Sequence, residues 1–301
     1  MPTVLISGGT GLIGKYLSKK LLEKGYKVSI LSRSKKEDSN MQYFTWNIEK
    51  HEIEKEAIIT ADYIIHLAGS GIADKRWTDN RKKEIIDSRV DSTNLIFNKV
   101  KEYDSMLKAF ISASGINYYG TITSDKIFTE SDSVGDDFLG NVCKQWEESA
   151  NQFEGLGIRT VKLRTGVVFT ENGGALEKIV KPIKMGLGSP IGSGKQYTPW
   201  VHIEDLCNMY IQAIENNEMT GSYNAIAPEH ITNKQLTIAI GKQLKKSIWL
   251  PNVPSFILKL ILGEMSFLVL KGSRASSKKI ESTGFKFLFP DIENTLNDLL
   301  N

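Results

Sequence analysis

At 301 residues, with 41% hydrophobic and 24% charged content, the chain has ample material for a buried core and does not have the composition of a disordered segment. A formal net charge of +3 is too mild to argue for nucleic acid or a membrane surface as partner. The two cysteines, Cys143 and Cys207, supply neither a disulfide framework nor the spacing of a metal site, which fits a reducing cytoplasm.

Met1 runs directly into the β-branched Thr3-Val4-Leu5-Ile6-Ser7, with no basic and apolar leader before it. That run predicts a first strand, and Ile13 to Lys24 a helix, with Ile13, Leu17, Leu21 and Leu22 at helical spacing and Gly25 as the stop. Tyr26 to Leu31, Asp62 to Leu67, Ala109 to Ser112, Arg159 to Leu163 and Gly166 to Phe169 read as further strands, with a helix over about Asn80 to Glu102. Strands alternating with helices, and apolar enough to be buried on both faces, indicate a parallel sheet.

A Gly/Pro-rich stretch from Gly186 to Pro199 interrupts the alternation. Beyond it come a helix from Asp205, read as its cap, to Asn216, a strand at Tyr223-Asn224-Ala225, and helices near Asn233 to Leu244 and Ser255 to Leu270. The stretch Phe256 to Leu270 is the most apolar of these, but at 15 residues with Lys259 and Glu264 inside it, it reads as a core helix. A membrane span needs about 20 residues. The expected architecture is α/β: a Rossmann doubly wound parallel sheet in residues 1–170, with a smaller C-terminal substrate lobe in 171–301, partly interleaved with it.

Gly8-Gly9-Thr10-Gly11-Leu12-Ile13-Gly14 follows a strand and opens a helix, the context in which a glycine turn binds a dinucleotide. Glycines there allow close backbone approach, and the helix N-terminus offers unpaired N–H groups and a positive dipole to a pyrophosphate. Where an NAD site usually places an acid for the ribose 2′-hydroxyl, this chain has Ser32-Arg33-Ser34. Arg33 can bind a 2′-phosphate with charge-assisted bonds, so the expected cofactor is NADP(H). Leu67-Ala68-Gly69 ends a later strand with small residues suited to close passage of the ribose and phosphates.

These segments, with Ile72-Ala73-Asp74-Lys75-Arg76-Trp77, Asp87-Ser88-Arg89-Val90, Gly192-Ser193-Gly194-Lys195-Gln196 and Pro199-Trp200-Val201-His202-Ile203, resemble the extended short-chain dehydrogenase/reductases. The closer resemblance is to their atypical epimerase-family branch, and it covers nearly the whole chain. It implies that Ser32, Arg33, Leu67, Ala68, Glu84, Arg89 and Val168 lie along the nucleotide.

It also implies a catalytic Ser or Thr after the strand at Ala109, here Ser114, and a Tyr-x-x-x-Lys on the following helix. Aligning Trp146-Glu147 with that family's acidic residue puts Leu139 and Cys143 at the tyrosine and lysine positions. Loss of a positioned general acid typically costs about 10²- to 10⁴-fold. Tyr118 and Tyr119, on the loop after Ser114, are the available substitutes. Cys143 is the weaker candidate as a nucleophile, since no basic partner that would lower its pKa is visible.

Trp77, Arg164, Gln196, Trp200 and His202 are the candidate substrate residues, a mixed set suited to a small, partly apolar ligand. No metal site is expected. Three functions are compatible with this pattern: an NADP(H)-dependent oxidoreductase acting on an unknown small carbonyl or alcohol, a non-catalytic NADP(H)-binding sensor or scaffold, and a sugar-nucleotide epimerase or dehydratase. The last lacks an arginine at Tyr197-Thr198-Pro199, where such enzymes meet the substrate pyrophosphate.

Overall fold

The computed structural model describes residues 1–36, 38–171 and 173–301. Its strands are β1 (Thr3–Ser7), β2 (Lys27–Ser32), β3 (Gln42–Asn47), β4 (Glu52–Ile53), β5 (Tyr63–His66), β6 (Ala109–Gly115), β7 (Ile127–Phe128), β8 (Arg159–Thr165), β9 (Val167–Phe169), β10 (Trp200–His202), β11 (Gly221–Ala225) and β12 (Arg274–Ala275). The α-helices are α1 (Leu12–Glu23), α2 (Lys55–Ile59), α3 (Asp79–Glu102), α4 (Phe138–Asn151), α5 (Gly174–Lys184), α6 (Ile203–Glu215), α7 (Asn233–Gln243), α8 (Ser255–Leu262), α9 (Phe267–Leu270), α10 (Lys278–Ser282) and α11 (Ile292–Leu300).

Eight strands form one sheet in the order β11-β8-β6-β5-β1-β2-β3-β4, parallel throughout except for the β3–β4 pair. The strand order runs one way from β1 through β2 and the other way from β5, so the switch point lies between β1 and β5. Ligands of such sheets bind beyond the strand C-termini at that point. Val4 and Ile6 join the core beneath α1 and α6, while Leu5 joins the core on the other face with Ile96 of α3. Alternation across a strand therefore buries both faces, as the near-continuous apolar run required.

Residues beyond 170 complete this sheet. β11 pairs with β8, and α6 packs its buried face into the core shared with α1. A separate apolar cluster, containing Leu176, Val180, Ile240 and Leu296, is built from α5, α7 and α11. β3, with Phe44 and Trp46 turned inward, and α2 lie outside the sequence expectations. Asp205 is not a cap. His202 caps α6, and the fully buried Asp205 accepts the backbone N–H groups of Leu288 and Phe289 at 2.8 and 3.0 Å.

The expected core helix over 255–270 is corrected in two ways. It is split into α8, a 3-10 turn and α9, and α8 has no buried residue. Among the described residues no helix is long and apolar enough to cross a membrane, and no group of His, Cys, Asp and Glu could hold a metal ion.

Candidate functional site

Gly8 takes φ +74°, which lets the chain leave β1 and turn against β5; a Cβ there would lie 2.8 Å from the Leu67 carbonyl carbon. Gly14 is under a stricter constraint, since its Cβ would meet Gly8 O at 2.4 Å. Gly11 is the N-cap of α1 and offers no side-chain cap, so the N–H groups of Leu12, Ile13 and Gly14 begin the helix without a capping acceptor. Thr10, Gly11 and Leu12 are exposed beside them. The cradle fits a pyrophosphate on three counts: no side chain fills it, its N–H groups are oriented, and it sits at the positive end of a 12-residue helix.

Beneath the turn, Ser7 and His66 stand in register on β1 and β5. Ser92 Oγ donates to Ser88 O at 2.7 Å, so it accepts from His66 Nε2, 3.1 Å away. Nδ1 is then the acceptor of the Ser7 hydroxyl. Complete burial pushes the His66 pKa down to about 3, aided by the nearby Arg89 charge, so this imidazole is a neutral strut.

Arg33 follows the end of β2, exposed, with no ion-pair partner among the described residues. Ser32 is buried just before it, its Oγ accepting the Ser34 N–H at 3.4 Å. Leu67 and Ala68 continue from β5, and Gly69 lies against Arg89, whose guanidinium carbon a Cβ would approach to 2.9 Å. Arg89 is buried over the Trp146 ring at 4.9 Å and donates to Ser70 O and Ile85 O; its Nε is buried without a partner among the described residues. Glu84 is exposed, and its bonds from Arg81 and Ser70 hold its carboxyl below the usual range. Val168 is half-buried in β9, next to Val201 of β10.

The strand ends beyond carry a row of polar residues in register: Ser114 on β6 pairs with Arg164 on β8, and Arg164 with Asn224 on β11. Glu147 of α4 reaches down onto this row. Its carboxylate accepts Arg164 Nε and Nη2 at 2.8 and 2.9 Å, Ser114 Oγ at 2.7 Å and Ser222 Oγ at 2.9 Å. Arg164 Nη1 donates to the Tyr119 hydroxyl at 2.9 Å, which donates onward to Asn224 Oδ1 at 2.8 Å. Burial disfavours the Arg164 charge, but the bonds to Glu147 outweigh it and hold the guanidinium firmly protonated.

Sequence reasoning used Glu147 only as an alignment marker. The signal that finds it is its position on the buried face of α4 with Leu139, Val142, Cys143 and Ala150. A charge on such a face requires a partner.

Of the three catalytic candidates, Ser114 is buried with its proton on Glu147, and Tyr119 is fully enclosed, burial pushing its pKa up to about 12. Tyr118 is half-buried, its ring under the Arg164 guanidinium at 3.4 Å, and its hydroxyl has no hydrogen-bond partner among the described residues. Leu139 is 2% exposed, and the buried Cys143 thiol is pushed up to about 12 by burial and then by the Glu147 charge, so it is no nucleophile at neutral pH.

The substrate candidates are placed as follows. Arg164 directs its guanidinium into the internal network. Gln196 is buried, donating to Ile191 O and Val269 O at 3.0 and 2.9 Å, and ties loops together. Trp200 is fully buried, stacked on Phe169. His202 accepts the Glu204 N–H on Nδ1, so Nε2 donates to Asp298, and its ring stacks on Phe289. Only Trp77 stays partly open, donating to Ile72 O at 2.9 Å with its ring edge-to-face with Phe138 at 5.0 Å.

The model of the NAD dependent epimerase/dehydratase family matches residues 4–226, and that of a domain of unknown function, DUF1731, matches residues 253–299. The chain is 38% identical to the epimerase family protein YfhF of Bacillus subtilis strain 168 over 99% of this chain and 97% of that one. A crystal structure of human epimerase family protein SDR39U1 (isoform 2) with NADPH superposes with a TM-score of 0.88 at 30% identity, covering 99% of this chain and 98% of that one. A nucleoside-diphosphate sugar epimerase from Corynebacterium glutamicum gives 0.81 at 28% identity, covering 99% of this chain and 58% of that one. With a Rossmann sheet of this order and a family model spanning its full width, the chain belongs to the NAD dependent epimerase/dehydratase family and has the fold of an extended short-chain dehydrogenase/reductase.

Proposed function

We propose that the protein binds NADP(H) on the Gly8–Gly14 turn and acts as an oxidoreductase on a small carbonyl or alcohol without the usual Tyr-x-x-x-Lys pair. The observation that carries this reading is the pairing of an open, uncapped glycine cradle with the exposed Arg33 at the end of the neighbouring strand. A guanidinium there complements the 2′-phosphate that distinguishes NADP from NAD. The NADPH in the human SDR39U1 crystal supports the same choice.

When bound, the nicotinamide supplies or accepts a hydride. Tyr118 is the proton donor in this reading, because Tyr119 and Ser114 already direct their hydroxyl protons to Asn224 and Glu147. With its proton so placed, Ser114 Oγ presents lone pairs and accepts a hydrogen bond only from the hydroxyl of the alcohol, which is the product when Tyr118 protonates the carbonyl oxygen. Trp77 offers an apolar wall with its ring anchored by Ile72 O.

The test is NADPH consumption over a carbonyl panel with the wild-type chain and Tyr118→Phe. Turnover should fall by about 10²-fold in the variant while NADPH binding is unchanged. Wild-type inertness with tight NADPH binding would instead favour the second reading, a non-catalytic NADP(H)-binding sensor. That reading draws on the inward commitment of Ser114 and Tyr119.

A further inference from the structure

The sequence from His230 to Gly263 contains Lys234, Lys242, Lys245, Lys246 and Lys259 and no Asp or Glu. Within it lies α8, Ser-Phe-Ile-Leu-Lys-Leu-Ile-Leu, in which no residue is buried. Phe256 is 69% exposed, Leu260 78% and Ile261 60%, with Ile257 also exposed. At about 100° per residue, Phe256, Leu260, Ile257 and Ile261 follow one another around one continuous arc, while Leu258 and Leu262 fall on the opposite, half-buried side. The helix thus turns its wider apolar face away from the protein.

It is nevertheless held in place. Arg76 Nη2 donates to Leu260 O at 3.5 Å, and Glu264, just past the helix, is neutralised by Lys82 of α3. Exposed Trp249, three residues after Lys246, precedes α8, and Lys259 sits at the margin of the arc. An exposed apolar arc carrying Phe and Leu, with Lys259 at its margin and exposed Lys245, Lys246 and Trp249 shortly before it in the sequence, has the chemistry of a helix lying in the interface of an anionic bilayer. A second copy meeting this face would bring together two basic segments, 230–263 of each chain, that contain no Asp or Glu, which disfavours self-association.

We infer that α8 seats the protein on an anionic phospholipid surface, with Phe256, Ile257, Leu260 and Ile261 entering the headgroup boundary and Lys245, Lys246 and Lys259 facing the lipid phosphates. The binding is peripheral and reversible, and it runs against the expectation that no membrane is a partner. It stands independently of the proposed chemistry.

The full chain is floated with vesicles of phosphatidylcholine alone and with about one third phosphatidylglycerol. Binding should be at least about tenfold stronger to the anionic vesicles, weaken in high salt, and fall at least about tenfold in Phe256→Ser/Leu260→Ser. Circular dichroism and NADPH titration check that the double variant remains folded. Failure of the wild-type chain to float with either vesicle overturns the inference, as does flotation that the double variant retains. A concentration-dependent dimer that the double variant dissolves would overturn it too, by assigning the face to a second copy.

Discussion

Glu147 and Arg164 are joined by two nearly parallel hydrogen bonds of 2.8 and 2.9 Å, each residue almost wholly buried, at the point where α4 crosses the ends of β6 and β8. This bidentate pair also holds Ser114, Ser222 and Tyr119. Such a pair is costly to bury and more costly to break, because the survivor is left charged in a poor solvent.

Glu147→Gln should therefore destabilise the fold by about 3–5 kcal/mol, and Glu147→Leu with Arg164→Met should recover much of that loss. Urea unfolding of the two variants and the parent measures it. Equal losses in the single and double variants would show that packing, rather than an orphaned charge, is responsible.

Arg33→Ser should weaken NADPH binding by about tenfold or more and leave NADH binding nearly unchanged, because only the 2′-phosphate loses its partner. Parallel calorimetric titrations with the two nucleotides check this. An equal loss for both would place Arg33 on the adenine or a shared phosphate.

Gly14→Ala should disrupt the turn, since the added methyl would sit 2.4 Å from Gly8 O. NADPH affinity should fall by more than about tenfold, read by quenching of intrinsic fluorescence. By contrast Gly25→Ala meets no neighbour but strains a φ of +85°, so it should cost about 1 kcal/mol of stability and leave binding intact.

His66 gives the stability a specific pH dependence. Its folded pKa of about 3 lies below the unfolded value of 6.5, so the unfolded chain binds a proton that the folded chain refuses. Stability is fully present above pH 6.5 and is lost at about 1.4 kcal/mol per pH unit as the pH falls towards 3. His202, also held below its ordinary value by burial, adds a slope of the same sign. Urea midpoints measured from neutral to mildly acidic pH should slope less steeply in His66→Gln.

The amount of this that the sequence carried depended on the distance over which each feature is specified. The strand, glycine turn and helix at residues 3 to 24 were legible because alternation, helical period and backbone permissiveness are local properties. The pair Glu147–Arg164 was not: it arises when α4 is laid across the ends of β6 and β8, and where a helix crosses a sheet is a property of the assembled fold. Gln196, Trp200 and His202 looked like ligand contacts because polar and aromatic types serve equally well as loop ties, core fillers and helix caps. For α8, apolarity marked the helix but not the side on which it would be covered.

The placement of Asn224 affects how the molecule is made. β11 is the last strand to join the eight-stranded sheet, and until it emerges from the ribosome β8 has an unpaired edge and Arg164 lacks the end of its hydrogen-bond chain. The first 170 residues cannot reach their final state as a nascent domain. They must wait for the next 55, from 171 to 225, with the seven-residue edge of β8 open to other chains. Chaperone dependence should accordingly be greatest for nascent chains between β8 and β11, and a truncation after residue 170 should accumulate as aggregate rather than as a soluble nucleotide-binding fragment.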